Sequence, residues 1–210
     1  MTAAAVVYVH GLWMNGVESL GLRHRLARQR GLLPQVFAYS SMQPPLAQIL
    51  IKLRDTIAAI EAPQVHLLGH SLGGLLIQRC LERYPPARPG RVVFIGTPAA
   101  GSRAARHLAQ RRWGRRLLGA ACAEELLSEH PRRWDVGREL GIIAGTIPVG
   151  LARLLLSFGE ANDGVVAVSE THLSGATEFL TVPSTHSGML WSARVAREAG
   201  SFLEYGCFGR

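Results

Sequence analysis

One short stretch restricts the fold of this chain more than any other: Gly69-His70-Ser71-Leu72-Gly73. The apolar run Val65-His66-Leu67-Leu68 precedes it, and Leu75-Leu76-Ile77 follows it. A buried strand, a sharp turn and an apolar helix are expected in that order, with the serine at the tip of the turn. A Cβ in place of either glycine is expected to collide with the neighbouring strand or helix. The serine backbone is then held in a strained turn and its hydroxyl projects above a sheet, as in a nucleophile elbow. The first amides of the helix point at the same spot, where an oxyanion could form.

The rest of the chain alternates between strand-like and helix-like segments. Ala4 to Val9, Gln35 to Tyr39, Val65 to Leu68, Arg91 to Ile95, Leu140 to Ala144 and Glu178 to Val182 read as six strands. Glu18 to Arg30 reads as a helix that Gly31 can stop. Pro45 to Ile60 is the clearest amphipathic helix: Leu46, Ile49, Leu50, Leu53, Ile57 and Ile60 recur at helical spacing, and Pro63 follows its end. The elbow helix is expected to reach about Tyr84, and Met189 to Tyr205 to close the chain as a helix. Strands alternating with helices imply an α/β fold, a mostly parallel sheet of about six strands with helices on both faces. With 210 residues, 48% of them hydrophobic, one domain spanning residues 1–210 is expected. The Arg-rich stretch Ser102 to Arg138 carries Leu117, Leu118, Leu126 and Leu127. It is expected to form one or two helices, a small helical cap or lid over residues 102–138.

Composition narrows the function classes. The net charge is +8, and Lys52 is the only lysine. Arginines crowd two segments, Arg23 to Arg30 and Arg103 to Arg116. Two readings stay open: solvated helix faces, or a surface for anionic lipid, an acidic carrier protein or an acidic substrate. Nucleic acid is disfavoured, because no binding motif accompanies the charge and aromatics are only 7% of residues. The longest apolar stretch, Leu140 to Leu156, is broken by Gly145, Pro148, Gly150 and Arg153, so no transmembrane segment is expected. The N-terminus has no basic region and reads as a first strand, not a signal peptide. Cys80, Cys122 and Cys207 are odd in number and widely spaced, which suits reduced thiols in a cytoplasmic protein. No Cys/His cluster has metal-ligand spacing, and no metal or cofactor is expected.

A serine hydroxyl needs a base to take its proton, and the base needs an acid to fix its tautomer. In a parallel sheet such groups gather beyond the C-terminal strand ends. His186, in the loop after the sixth strand, is the expected base, and Asp163, in a loop after the fifth, the expected acid. His172 and Glu160 are the rivals. His10 and His70 are read as structural hydrogen-bonders. The oxyanion hole needs two backbone donors, assigned to Leu72, after the nucleophile, and Leu12, after the first strand. Trp13 and Met14 are candidates for binding substrate, with plain packing as the alternative. Leu154, Leu155, Leu156 and Phe158 form either a substrate-facing wall or a buried helix face.

His10-Gly11, Gly69 to Gly74, Gly96-Thr97-Pro98 with Gly101-Ser102, Asn162-Asp163-Gly164-Val165-Val166 and the late His186 together resemble the α/β-hydrolase superfamily, nearest to small bacterial lipases and a related esterase group. The order Ser71, Asp163, His186 is that of the superfamily. The resemblance implies a carboxylic-ester hydrolase acting through an acyl-enzyme on Ser71, with a small-molecule ester or lipid-like substrate. The alternatives are a thioesterase, amidase or acyltransferase on the same fold, or a non-catalytic binding member.

Overall fold

The computed structural model describes residues 3–42, 44–85, 87–119, 123, 125–127, 132–150 and 157–210. Cys122, His130, part of the 102–138 segment and the run Leu151 to Leu156 therefore lie outside the described residues, in whole or in part. Six strands form one parallel sheet: β1 (Ala5–Val9), β2 (Leu33–Phe37), β3 (Val65–His70), β4 (Val92–Ile95), β5 (Leu140–Gly145) and β6 (Glu178–Val182). Their spatial order is β2-β1-β3-β4-β5-β6, and every pairing is parallel. The described helices are α1 (Leu20–Arg30), α2 (Leu46–Ala58), α3 (Leu72–Arg83), α4 (Arg103–Ala109), α5 (Arg112–Leu118), α6 (Val168–Thr171) and α7 (Ala193–Tyr205). None is long and apolar enough to cross a membrane.

The two-residue side-chain period of a strand divides the core into two layers. Val7, Val9, Leu67, Val92, Phe94 and Ile142 point to the face covered by α2 and α3. Val6, Tyr8, Leu68, Val93, Ile95 and Ile143 point to the face covered by α1 and α7. Burial on both faces explains why these strands read as continuous apolar runs and not as alternating ones.

β1 lies second from one edge; the chain then forms β2 at that edge and returns to the other side of β1 as β3. β1 and β3 are neighbours with Val9 opposite Gly69. Their following loops therefore leave side by side in opposite directions, which opens a crevice at the C-terminal strand ends. β5 and β6 are also neighbours, with Gly145 opposite Val182, so the two loops after them start together.

Several strand and helix limits differ from the sequence reading, most of them by one or two residues. β2 begins two residues early, because Pro34 lies inside it and Tyr39 has already left the sheet. β3 runs on to His70. The last helix is two pieces: a 3-10 turn at Gly188–Leu190, then α7, whose start is capped by the Ser192 hydroxyl accepting from the Val195 amide.

The opposite end of the sheet, where the strands begin, holds a buried histidine in β3. His66 Nδ1 accepts the Arg91 amide at 3.0 Å, which requires the neutral ring. Burial, with Arg91 and Arg138 nearby, pushes its pKa down to about 4 from 6.5. A folded pKa below the unfolded one adds stability above pH 6.5 and loses it as pH falls towards 4. The loss expected from this residue is about 3 kcal/mol. Urea unfolding at pH 7, 5.5 and 4 should show the wild type losing more stability than His66→Gln over the same range; equal losses would contradict this assignment.

Candidate active site

Backbone geometry singles out two places. Among the described residues, Trp13, at φ 60°, and Ser71, at φ 53°, are the non-glycine residues with positive φ. Such conformations are costly and persist where the surroundings over-determine them. Ser71 sits between β3 and α3, and its own amide still pairs with the Ile95 carbonyl at 2.9 Å. The glycines around it are required by contact. A Cβ at Gly69 would lie 2.5 Å from Gly74 Cα in the helix, and one at Gly73 would lie 2.0 Å from the Val9 carbonyl oxygen in β1.

The loop after β1 is held by His10. Its Nε2 accepts the Tyr39 amide at 3.2 Å, so Nδ1 carries the proton and donates to the Gly11 carbonyl at 2.8 Å. Tyr39 Oη donates to the His10 carbonyl at 3.0 Å, and the two rings stack 4.2 Å apart. Burial lowers the His10 pKa and keeps the ring neutral. The Trp13 amide donates to Ser41 Oγ at 3.3 Å. The amides of Leu12 and Leu72 donate to no described group. Two strained backbone positions thus adjoin two unspent donors.

The loops after β5 and β6 bring Asp163 and His186 together. His186 Nδ1 lies 2.7 Å from Asp163 Oδ2, and the His186 amide donates to the Asp163 carbonyl at 2.9 Å. Asp163 is 1% exposed. Its other oxygen, Oδ1, accepts the amides of Val165 at 2.9 Å and Val166 at 2.8 Å. The carboxylate is thereby fixed on both sides, with Nδ1–H of His186 as the remaining donor. Gly96, at the end of β4, lies beneath the pair: a Cβ there would be 3.1 Å from both Asp163 Oδ2 and His186 Nδ1.

His70 ties this pair to the elbow. Its Nε2–H donates to the His186 carbonyl at 3.2 Å, and the two rings are 4.7 Å apart. Burial, with His186 close by, drives its pKa well below the ordinary value, so it stays neutral beside the second imidazole. Its Nδ1 is buried without a partner among the described residues.

Ser71 and His186 line one cavity of about 240 Å³ with Leu12, Trp13, Met14 and Leu72. Ser71 Oγ makes no hydrogen bond to a described residue. The rivals lie elsewhere. Glu160 binds the Arg103 guanidinium and the Ser169 hydroxyl, and the Arg103 contact holds its carboxyl below the usual range. His172 is exposed and stacks on Phe179, 4.1 Å away. Phe158 is buried against Ala167, with the Arg103 guanidinium over its ring at 5.1 Å; Leu154, Leu155 and Leu156 lie outside the described residues.

Sequence reasoning missed Tyr39, which grips His10, and the Arg103–Glu170 contact that fixes the start of α4. Neither has a local signal, since each pairs residues far apart in the chain. No cluster of three or more metal-ligating side chains occurs among the described residues.

The protein-family model described as the alpha/beta hydrolase family matches residues 6–197. No curated protein matches the sequence. Among solved structures, a metagenomic carboxyl esterase is similar at 18% identity and TM-score 0.63, over 89% of this chain and 65% of that one. This chain therefore spans less than two thirds of that esterase's length. A pyrethroid hydrolase from Sphingobium faniae is similar at 15% identity and TM-score 0.62, over 97% of this chain and 98% of that one. A thioesterase domain is similar at 15% identity and TM-score 0.57, over 99% of this chain and 94% of that one. At these identities the likeness is one of fold.

Proposed function

We propose that this chain, which belongs to the alpha/beta hydrolase family, cleaves carboxylic esters through an acyl-enzyme on Ser71. The observation that carries this reading is a serine held at φ 53° on the rim of the cavity that His186 also lines, with His186 paired to a buried Asp163 at 2.7 Å.

Ser71 Oγ attacks the ester carbonyl carbon while His186 Nε2 takes the hydroxyl proton. The catalytic hydrogen bond between them forms as substrate closes the site, as is common for such pairs. The carbonyl oxygen becomes an oxyanion and receives the free Leu12 and Leu72 amides; one such donor is typically worth about 2.7–4 kcal/mol in the transition state. The carbon–oxygen bond breaks, and His186 gives its proton to the departing alcohol. Water then attacks the acyl carbon, His186 takes the water proton, and the proton returns to Ser71 as the acid leaves. Asp163 holds the imidazole with Nδ1 protonated throughout and balances the imidazolium charge. Trp13 and Met14 face the bound ester at the cavity mouth.

The test compares p-nitrophenyl butyrate with the matched butyryl thioester and butyranilide. The ester is expected to give the highest kcat/KM, with added butanol leaving the yield of free butyrate unchanged. A thioester preference above tenfold, or diversion of the acyl group to butanol, would replace this reading with a thioesterase or an acyltransferase.

A further inference from the structure

The described lining of the cavity beside Ser71 is nearly free of charge, although the segment that supplies part of it is among the most arginine-rich in the chain. α4 resolves the contradiction. Ala104, Ala105 and Leu108 lie on one face of this helix and line the cavity. Arg103 is turned away and held by Glu160 and Glu170. None of the described arginines lines the cavity. Leu118, Leu126 and Val166 complete its apolar wall. The His70 ring, the other titratable group besides His186 in that wall, stays neutral through burial.

We infer that this cavity is an acyl pocket for short, uncharged acyl groups of about four to eight carbons, and that α4 sets its length. The inference rests on the ester-hydrolase reading for the identity of the ligand as an acyl group. Its size follows from the volume of about 240 Å³, which suits a short acyl chain. The cavity is smaller than the usual range of small-molecule pockets, so a long fatty acyl chain would leave its far end outside the apolar wall. Its polarity follows from desolvation. An acyl chain ending in a carboxylate would lose its hydration and meet no cation among the described residues of the lining. Ala105 is 5% exposed, so a larger side chain there intrudes on the pocket, whereas shortening Leu108 extends it.

Two measurements test this. The first is kcat/KM for p-nitrophenyl esters from acetyl to dodecanoyl, with the carboxylate-ended adipoyl monoester beside the hexanoyl ester. The optimum is expected at about four to eight carbons, with at least a tenfold fall by dodecanoyl. The adipoyl ester should be at least about 30-fold poorer than the hexanoyl ester. Leu108→Ala should move the optimum to longer chains and Ala105→Leu to shorter ones. A flat profile, an optimum at dodecanoyl, equal use of the adipoyl ester, or no movement in either variant would overturn the inference.

The second measurement reads binding without turnover. Hexanamide and the carboxylate-ended adipamate are titrated into Ser71→Ala and followed by tryptophan fluorescence and calorimetry. Preferential binding of hexanamide is expected; equal binding of the two, or binding of neither, would overturn the inference. Preferential hexanamide binding with no hydrolysis of any ester would keep the pocket and remove the esterase reading. Ester hydrolysis that ignores chain length and charge would do the reverse.

Discussion

Asp163→Asn is expected to lower kcat by about 10⁴-fold while the protein stays folded. The geometry gives the reason. Asp163 Oδ1 accepts two amides, from Val165 and Val166. An asparagine must keep its carbonyl oxygen on that side, because its NH₂ cannot accept. The NH₂ then faces His186 Nδ1, where the carboxylate oxygen lies 2.7 Å away in the wild type. Nδ1 is forced to accept, Nε2 carries the proton, and the ring can no longer take one from Ser71. Steady-state kinetics on p-nitrophenyl butyrate, with a melting curve to establish folding, checks this. A folded variant within tenfold of wild-type kcat would remove Asp163 from the site and return Glu160 to consideration.

Gly73→Ala should be the most destabilising of the small substitutions at the elbow. The added Cβ would meet the Val9 carbonyl oxygen at 2.0 Å and the His10 carbonyl oxygen at 2.7 Å. Both are main chain, so no side-chain rotation relieves the clash, and β1 and α3 must separate. Overpacking of this kind costs about 3 kcal/mol or more, a fall of roughly 6–12 °C in melting temperature for a chain of this size. The shift also displaces the Leu12 amide, so activity should fall with stability. Gly31→Ala provides the control: Gly31 also has positive φ, at 62°, but a Cβ there meets nothing within 4 Å. It should cost about 1 kcal/mol or less. Thermal melts of both variants decide the matter, and a Gly73→Ala melt matching that of Gly31→Ala would refute the close approach of β1 and α3.

The architecture was readable because its signals are local. Buried parallel strands are short apolar runs, and Gly31 ends α1 at φ 62° as its position in the sequence suggests. The elbow was readable for the same reason: the steric demand that fixes Gly69 and Gly73 acts within a few residues and one neighbouring strand. The pairing of Asp163 with His186 accords with a topological rule, since each lies in a loop after a strand at the same end of the parallel sheet. What escaped is tertiary. Nothing near His10 says that Tyr39 will stack on it, and nothing near Arg103 says that Glu170 will receive it. The arginines between 103 and 116 left open whether this segment presents charge or apolar surface to the site. Only the folded helix shows which face of α4 turns inward, with Ala104, Ala105 and Leu108 towards the cavity.

The most direct measurement is covalent labelling with a fluorophosphonate, mapped by peptide mass spectrometry on the wild type, Ser71→Ala and His186→Ala. One adduct per chain on Ser71 is expected in the wild type, none in Ser71→Ala, and labelling slowed at least about 10³-fold in His186→Ala. An adduct on another residue, undiminished labelling of either variant, or an unreactive wild type would contradict the catalytic role given to this serine.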